Sequence, residues 1–421
     1  MNNQKNCQLF GLPAEKGRWL YVLLGLLVLL CLGTVYSWSI FRKPLESLFD
    51  ISATQSLLPF TVLLVVFAIL MPITGFYINK LGVRLITVIG GIVMGMGYIL
   101  SSLATNITTL AIAYGVVAGA GVGIVYGVPL AVTAKWFPDK KGLAVGLTVV
   151  GFGLSPLITA PLAKTLIGSY GVLFTFKILG SIFTAILLAV STTLKLPPKE
   201  WKPVSYNPLP SSALERAKET AMLKSRSFYS LWFCYTIGTF VGLSAIGISS
   251  PVAEEIIKLD ATTAAFAVSL FAIFNGVGRP LFGWLTDKFQ PKGAAITSYM
   301  LILIGSIIMI SASEGQIISY VVAFSFFWLS LGGWLAIAPT ATLTFFNPDN
   351  YAKNYGIVFT AYGVGALLGT LVAGQLRDLF GSYTLAFYPM AGLAIVGIIV
   401  AEFTLHHHHP RQIHVKSGLH S

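Results

Sequence analysis

The sequence predicts an all-α integral membrane protein of twelve transmembrane helices arranged as two six-helix bundles. Three observations lead there. The 421 residues are 55% hydrophobic and only 10% charged, with a mean hydropathy of +0.80, whereas a soluble globular chain carries about 25% charged residues. Apolar runs of spanning length recur along the chain. One long polar stretch divides them six and six.

A hydrocarbon core about 30 Å thick is crossed by about 20 apolar residues in a helix. That rule places spans at 18–41, 55–78, 84–104, 108–134, 142–164, 168–194, 228–250, 262–286, 293–313, 316–342, 355–376 and 382–404. Turn residues such as Thr105-Asn106 and Gly168-Ser169 punctuate them. The first run, Trp19 to Phe41, is long enough to span and carries no small-residue cleavage pattern after it, so it reads as a span and not a signal peptide. The polar stretch "KLPPKEWKPVSYNPLPSSALERAKETAMLKSRS" opens with prolines and turns amphipathic further on. The expected organisation is a bundle over 1–194, a cytoplasmic linker over 195–227, a second bundle over 228–405 and a His-rich cytoplasmic tail over 406–421.

Charge fixes the expected orientation. With both termini cytoplasmic, 20 of the 27 Lys and Arg fall on the inner side, five outside (Arg42, Lys43, Lys164, Lys258, Arg377) and two, Lys177 and Arg279, inside spans. This is the positive-inside pattern of a multi-pass protein of the plasma (inner) membrane. Much of the +12 net charge is therefore topological and argues for no nucleic-acid partner; the expected environment is the lipid bilayer. Cys7, Cys31 and Cys234 are widely spaced and offer neither a disulfide framework nor a metal motif. All six histidines lie after Leu405, where "HHHH" reads as a solvated tail. No metal, no cofactor and no nucleophile–base pair is expected, hence no enzyme.

An internal repeat supports duplication. "GFYINKLGVR" follows the second span, with Gly75, Asn79, Lys80, Gly82 and Arg84; "GWLTDKFQPK" follows the eighth, with Gly283, Asp287, Lys288 and Lys292. Two halves flanking a midplane site form a recurrent transporter plan. Here the chain resembles the major facilitator superfamily, whose corresponding loops carry a G-x-x-x-D-[RK]-x-G-[RK] gating motif. Asn79 stands where that motif has an acid, and Gln290 where it has the later glycine.

Arg279 is the residue to explain. Eight residues before Asp287 puts it about 12 Å into the membrane, where a charge costs from about 2.5 to more than 10 kcal/mol and normally faces a cavity or partner. Arginine does not escape by deprotonating. No span holds an Asp or Glu at mid-depth, so a visiting anion is the expected partner. The forked guanidinium matches a carboxylate, and Asn275, one turn earlier, can assist it. In the fourth span Gly115, Gly119, Gly123 and Gly127 recur every four residues, a face for close helix contact.

"GTVYSWSIF", "KWFPDKKG", "FNGVGRP" and "AKNYGIVFTAYGVGALLG" together resemble the oxalate/formate antiporter family, with the monocarboxylate transporters as its relatives. The resemblance implies that Arg279 binds the substrate carboxylate and that Tyr36, Tyr126 and Trp328 wall the cavity. It also implies that oxalate-type members carry a lysine near Tyr362. The eleventh span has no charge between Tyr355 and Gln375, which favours a monocarboxylate such as formate, lactate or pyruvate over a dianion. Lys177, nine residues into the sixth span and so about 13 Å deep, is either a snorkelling lysine or the second cation of an oxalate/formate antiporter. The expected protein is a secondary carrier of small carboxylates working by alternating access as an anion antiporter or proton-linked symporter, complete as a monomer. An anion channel or sensor, with Arg279 as its selectivity element, is the alternative of another class.

Overall fold

The computed structural model describes residues 8–198, 201–203, 222–346 and 351–405. The middle of the expected linker and the whole His-rich tail lie outside the described residues, as does the Asn79 side chain. Among the described residues, eleven helices are long and apolar enough to cross a membrane, and one of them, Ala261–Ile310, is two helices joined at Gln290 (φ 63°, ψ 168°). The spans are α1 (Ala14–Phe49), α2 (Ala53–Ile78), α3 (Val83–Ser101), α4 (Ile107–Trp136), α5 (Gly142–Tyr170), α6 (Val172–Thr193), α7 (Arg226–Glu255), α8 (261–289), α9 (291–310), α10 (Ile317–Phe345), α11 (Lys353–Phe380) and α12 (Tyr383–Thr404). Helices α1–α6 and α7–α12 are the two halves. We call the end holding the start of α1 proximal and the end holding the α1–α2 turn distal.

Local chemistry sets many boundaries. Ser52 and Gln55 form a reciprocal cap at the start of α2, Asn106 caps α4, and the Asp260 carboxylate accepts from the backbone N–H of Thr262 and Thr263 at the start of α8. The turn expected at Gly168-Ser169 instead falls at Gly171, whose φ of 81° ends α5 and starts α6. α1 runs on well past Phe41. It tightens to a 3-10 segment over Gly33–Ser37, where a Cβ on Gly33 would collide with the Phe152 carbonyl of α5. α4 widens to a π-helical segment over Ala111–Ala118. Such departures inside long helices accompany functional sites.

The glycine stripe of α4 packs as its spacing implies. Gly115 faces Val62 and Pro59, Gly119 faces Leu63, Gly123 faces Leu70 and Phe67, and Gly127 approaches Ile78, all on α2. The halves meet along α2 with α11 and α5 with α8.

The repeated loops match in backbone as well as sequence. Gly82 (φ 81°) separates α2 from α3, and Gln290, at the same offset from Gly283 as Gly82 from Gly75, separates α8 from α9. Around these breaks Arg84 Nε donates to the Leu194 carbonyl at 2.9 Å, Lys80 lies over the Tyr77 ring and Lys288 over Trp284 and Phe289. Gly75 and Asp287 are exposed, and a Cβ at Gly283 would meet nothing within 4 Å.

Two buried arginines pin the ends. At the proximal end Arg18 binds Asp139 at 2.6 and 2.9 Å and the Trp136 carbonyl at 3.1 Å. At the distal end Arg42, expected in an outer loop, is fully buried instead. It donates to Ser56, Glu46, the carbonyls of Ala53 and Gly247, and the Tyr383 hydroxyl at 2.7 Å. These partners come from both halves, which is what carries α1 beyond its apolar run. Nearby, Lys43 pairs with Glu255 across the halves, and Asp378 of α11 accepts from the Ala53 and Thr54 N–H groups that open α2.

Gln290 occupies a backbone region that is essentially glycine-only and costs of order 1–3 kcal/mol for other residues. Gln290→Gly therefore raises stability by about 1 kcal/mol after the larger unfolded-state entropy of glycine is counted. Thermal unfolding in detergent checks it: a lower midpoint than the parent chain contradicts the strain assigned here.

Candidate functional site

Asn275 and Arg279 lie one turn apart on α8, and glycines bring α8 close to its neighbours. A Cβ on Gly278 would strike the Leu329 carbonyl, and one on Gly332 the Asn275 carbonyl, so α8 and α10 touch backbone to backbone. In that contact Asn275 Nδ2 donates to the Trp328 carbonyl at 3.1 Å. Its Oδ1 accepts from Arg279 Nη2 at 3.5 Å, a long contact. Arg279 is only 4% exposed, and its Nε and Nη1 are buried without a hydrogen-bond partner among the described residues. Counted from Gln290, it sits about 16 Å inside α8, deeper than expected because the helix continues past Asp287.

Aromatic rings from both halves cluster next to this α8–α10 contact, joined to it through Trp328. The Tyr36 hydroxyl of α1 meets the Tyr362 hydroxyl of α11 at 2.9 Å. Tyr36 also packs edge-on to Phe152 of α5 at 5.0 Å and Trp328 of α10 at 6.3 Å. Tyr126 of α4 packs on Phe152 at 5.4 Å and on Phe67 of α2 at 5.0 Å, and Phe67 reaches Phe359 and Tyr362 of α11. Gly153, next to Phe152, brings α5 against the guanidinium: a Cβ there would lie 3.3 Å from Arg279 Nε. Trp328 spends its own donor on Ser249 Oγ at 3.1 Å. In such water-poor surroundings an anion at Nε and Nη1 gains more than at a surface arginine.

The structure thus gathers Arg279, Asn275, Tyr36, Tyr126, Trp328 and Tyr362. It does not bring Lys177 to them. α6 starts at Val172, which leaves Lys177 about 8 Å from the distal end. The side chain is exposed, with Nζ over the Phe174 ring at 5.6 Å, in a groove shared with Pro44, Ser47 and Tyr170. That is a snorkelling placement. Phe67, Phe152, Tyr235 and Phe359 complete the cluster and were not singled out from the sequence. Phe152, between Gly151 and Gly153, and Phe359, one turn before Tyr362, carried a spacing signal; Phe67 carried none.

Twelve spans in two halves around a buried, mid-depth cation define a membrane transporter fold. The profile of the Major Facilitator Superfamily matches residues 23–348, and the chain belongs to that family. It is similar to the oxalate:formate antiporter of Oxalobacter formigenes, 27% identical over 410 residues, covering 96% of this chain and 95% of the relative. It is also similar to monocarboxylate transporter 12-B of Danio rerio, 26% identical over 356 residues, covering 78% and 74%. Among solved structures, a bacterial homolog of the human lysosomal transporter Spinster, inward-facing and unoccupied, shares the fold with a TM-score of 0.68 at 17% identity, covering 93% of this chain and 97% of that one.

The Tyr36–Tyr362 hydroxyl pair links the halves inside the cluster. Tyr36→Phe and Tyr362→Phe each lower stability by about 1 kcal/mol, and the double variant costs little more than one of them. Denaturation of the four proteins measures the cycle; strict additivity would mean that the two hydroxyls do not act as a pair.

Proposed function

We propose that this protein is a secondary carrier of small monocarboxylates of the formate, lactate or pyruvate type, with Arg279 as the carboxylate clamp. One observation carries the reading. Arg18 and Arg42, both buried, have their guanidinium groups matched by carboxylates and carbonyls, whereas Arg279, also buried, keeps Nε and Nη1 unmatched among the described residues. Nε belongs to the edge it shares with Nη2, and Nη1 to the edge it shares with Nη2, so each of the two edges that can grip a carboxylate keeps a free donor. Asn275 steadies Nη2, the nitrogen common to both edges, through a long contact. The similarity to an oxalate:formate antiporter and to a monocarboxylate transporter supports the carboxylate class.

A single cation supports a monoanion: Tyr362 stands where the resemblance expects a lysine, and Lys177 sits apart. The site lies between two halves whose described cross-half ion pair, Lys43–Glu255, is at the distal end. That arrangement suits alternating access, by anion exchange or proton-linked symport, with the monomer as the working unit. The basic residues at the proximal end support a reading in which that end and both termini are cytoplasmic and the chain sits in the plasma membrane. The repeated loops around Gly82 and Gln290 then lie at the cytoplasmic gate.

In proteoliposomes, Arg279→Gln lowers uptake of the bound monocarboxylate by about 100-fold or more, the loss expected on truncating one partner of a buried charge pair. Arg279→Lys does not restore it, since an ammonium lacks the fork. Full transport by either variant would refute the clamp. Labelled uptake accelerates when unlabelled substrate is loaded on the far side; a pore would show no such acceleration. Tyr362→Lys supplies a second cation and raises the preference for oxalate over formate by about tenfold or more, the order expected for an added close charge partner. An unchanged ratio would show that position 362 does not set substrate charge.

A further inference from the structure

The clamp belongs to the α7–α12 half, yet one position of the other half touches it directly. Gly153 of α5 is buried against α8. A Cβ at 153 would lie 2.5 Å from Asn275 Oδ1, 3.2 Å from the Gly276 nitrogen and 3.3 Å from Arg279 Nε. No real Cβ stands so close to an oxygen, so any side chain there must displace Asn275. That amide has nowhere to yield: Nδ2 is committed to the Trp328 carbonyl, and the backbone behind it is pressed against Gly332. Swinging Oδ1 aside would break the tie to Trp328 or the contact to Arg279 Nη2.

Resting on the anion-site reading above, we propose that Gly153 is a positioning residue of that site. Its bare Cα leaves the space in which Asn275 holds the guanidinium with Nε and Nη1 presented to substrate. Gly153 acts through Asn275, and it does so from the opposite half. The geometry of the clamp is therefore complete only while α5 abuts α8, which ties anion affinity to the approach of the two halves.

The test is a binding cycle on the purified full-length protein. Intrinsic tryptophan fluorescence follows titration with formate, lactate and pyruvate in the parent chain, Gly153→Ala, Asn275→Ala, the double variant and Gly146→Ala. Gly146 also lies on α5 but has nothing within 4 Å of its Cβ position. Gly153→Ala weakens binding of the monocarboxylate that the parent binds by about tenfold, a coupling of the size seen within one hydrogen-bond network. Gly146→Ala leaves binding unchanged. In the Asn275→Ala background the obstructed oxygen is gone, and the extra methyl costs less than about threefold on the same scale. A general packing defect would not be relieved in that way.

Binding by Gly153→Ala within about twofold of the parent would overturn the proposal. So would an undiminished penalty in the Asn275→Ala background, or failure of both Gly153 variants to fold. Arg279→Gln separates this from the underlying reading. If it binds like the parent chain, the anion site itself is misassigned; if it alone loses binding, only the role of Gly153 falls.

Discussion

The middle of this molecule holds one buried charge, Arg279, that no carboxylate among the described residues neutralises. A buried guanidinium is tolerated when its donors are matched, and two of the three buried arginines among the described residues follow that rule. Arg42 is held by a hydroxyl, a carboxylate, two carbonyls and a phenol; Arg18 by Asp139 and the Trp136 carbonyl. Arg279 has one long contact to an amide oxygen. Leaving a charge incompletely paired in low dielectric is costly, and stable packing elsewhere has to offset that cost. The glycine contacts that clamp α8 between α5 and α10 have this role, because they fix the helix that carries the charge without adding polar groups beside it.

The aromatic cluster follows from the same constraint. Phe67, Phe152 and Phe359 contribute no donors or acceptors that could satisfy Arg279, while Tyr36 and Tyr362 have hydroxyls turned to each other. The distal network is built differently. Its partners are side chains and carbonyls that water can replace, so separating the halves there exchanges one set of hydrogen bonds for another at small net cost. Arg42 and Arg279 thus differ in kind: the first is fully matched by its own chain, and the second keeps donors for the role proposed above.

Most of the fold was legible because lipid imposes a simple rule: long apolar runs are helices, and loops carry charge. The break between α8 and α9 was legible in the charged gap between 286 and 293, and the repeat aligned Gln290 with Gly82, but a glutamine gives no local reason for its positive φ. Arg279 stood out because a charge in an apolar run is unusual on energetic grounds alone. Arg42 was misplaced for the complementary reason. The apolar rule ends a span at its first charges, and it takes tertiary partners on α2, α7 and α12 to carry α1 further. Lys177 seemed deep because Gly168-Ser169 resembles a turn, but the chain turns at Gly171. The phenylalanines of the cluster were hidden, since helices that are apolar all round give no periodicity to distinguish a cavity-facing ring from a lipid-facing one.

The contacts near Arg18 carry a mechanical consequence. Trp136 Nε1 donates to the Lys195 carbonyl at 2.7 Å, and Trp201 packs on Trp136 at 4.8 Å within reach of the Arg18 guanidinium. Lys195 and Trp201 are thereby fastened to the α1–α6 half, while the Ser225 side chain caps α7 of the other half. Both described ends of the connection are thus anchored, each to its own half, so any load on the connection falls on an indole hydrogen bond and ring packing at one end and on a helix cap at the other.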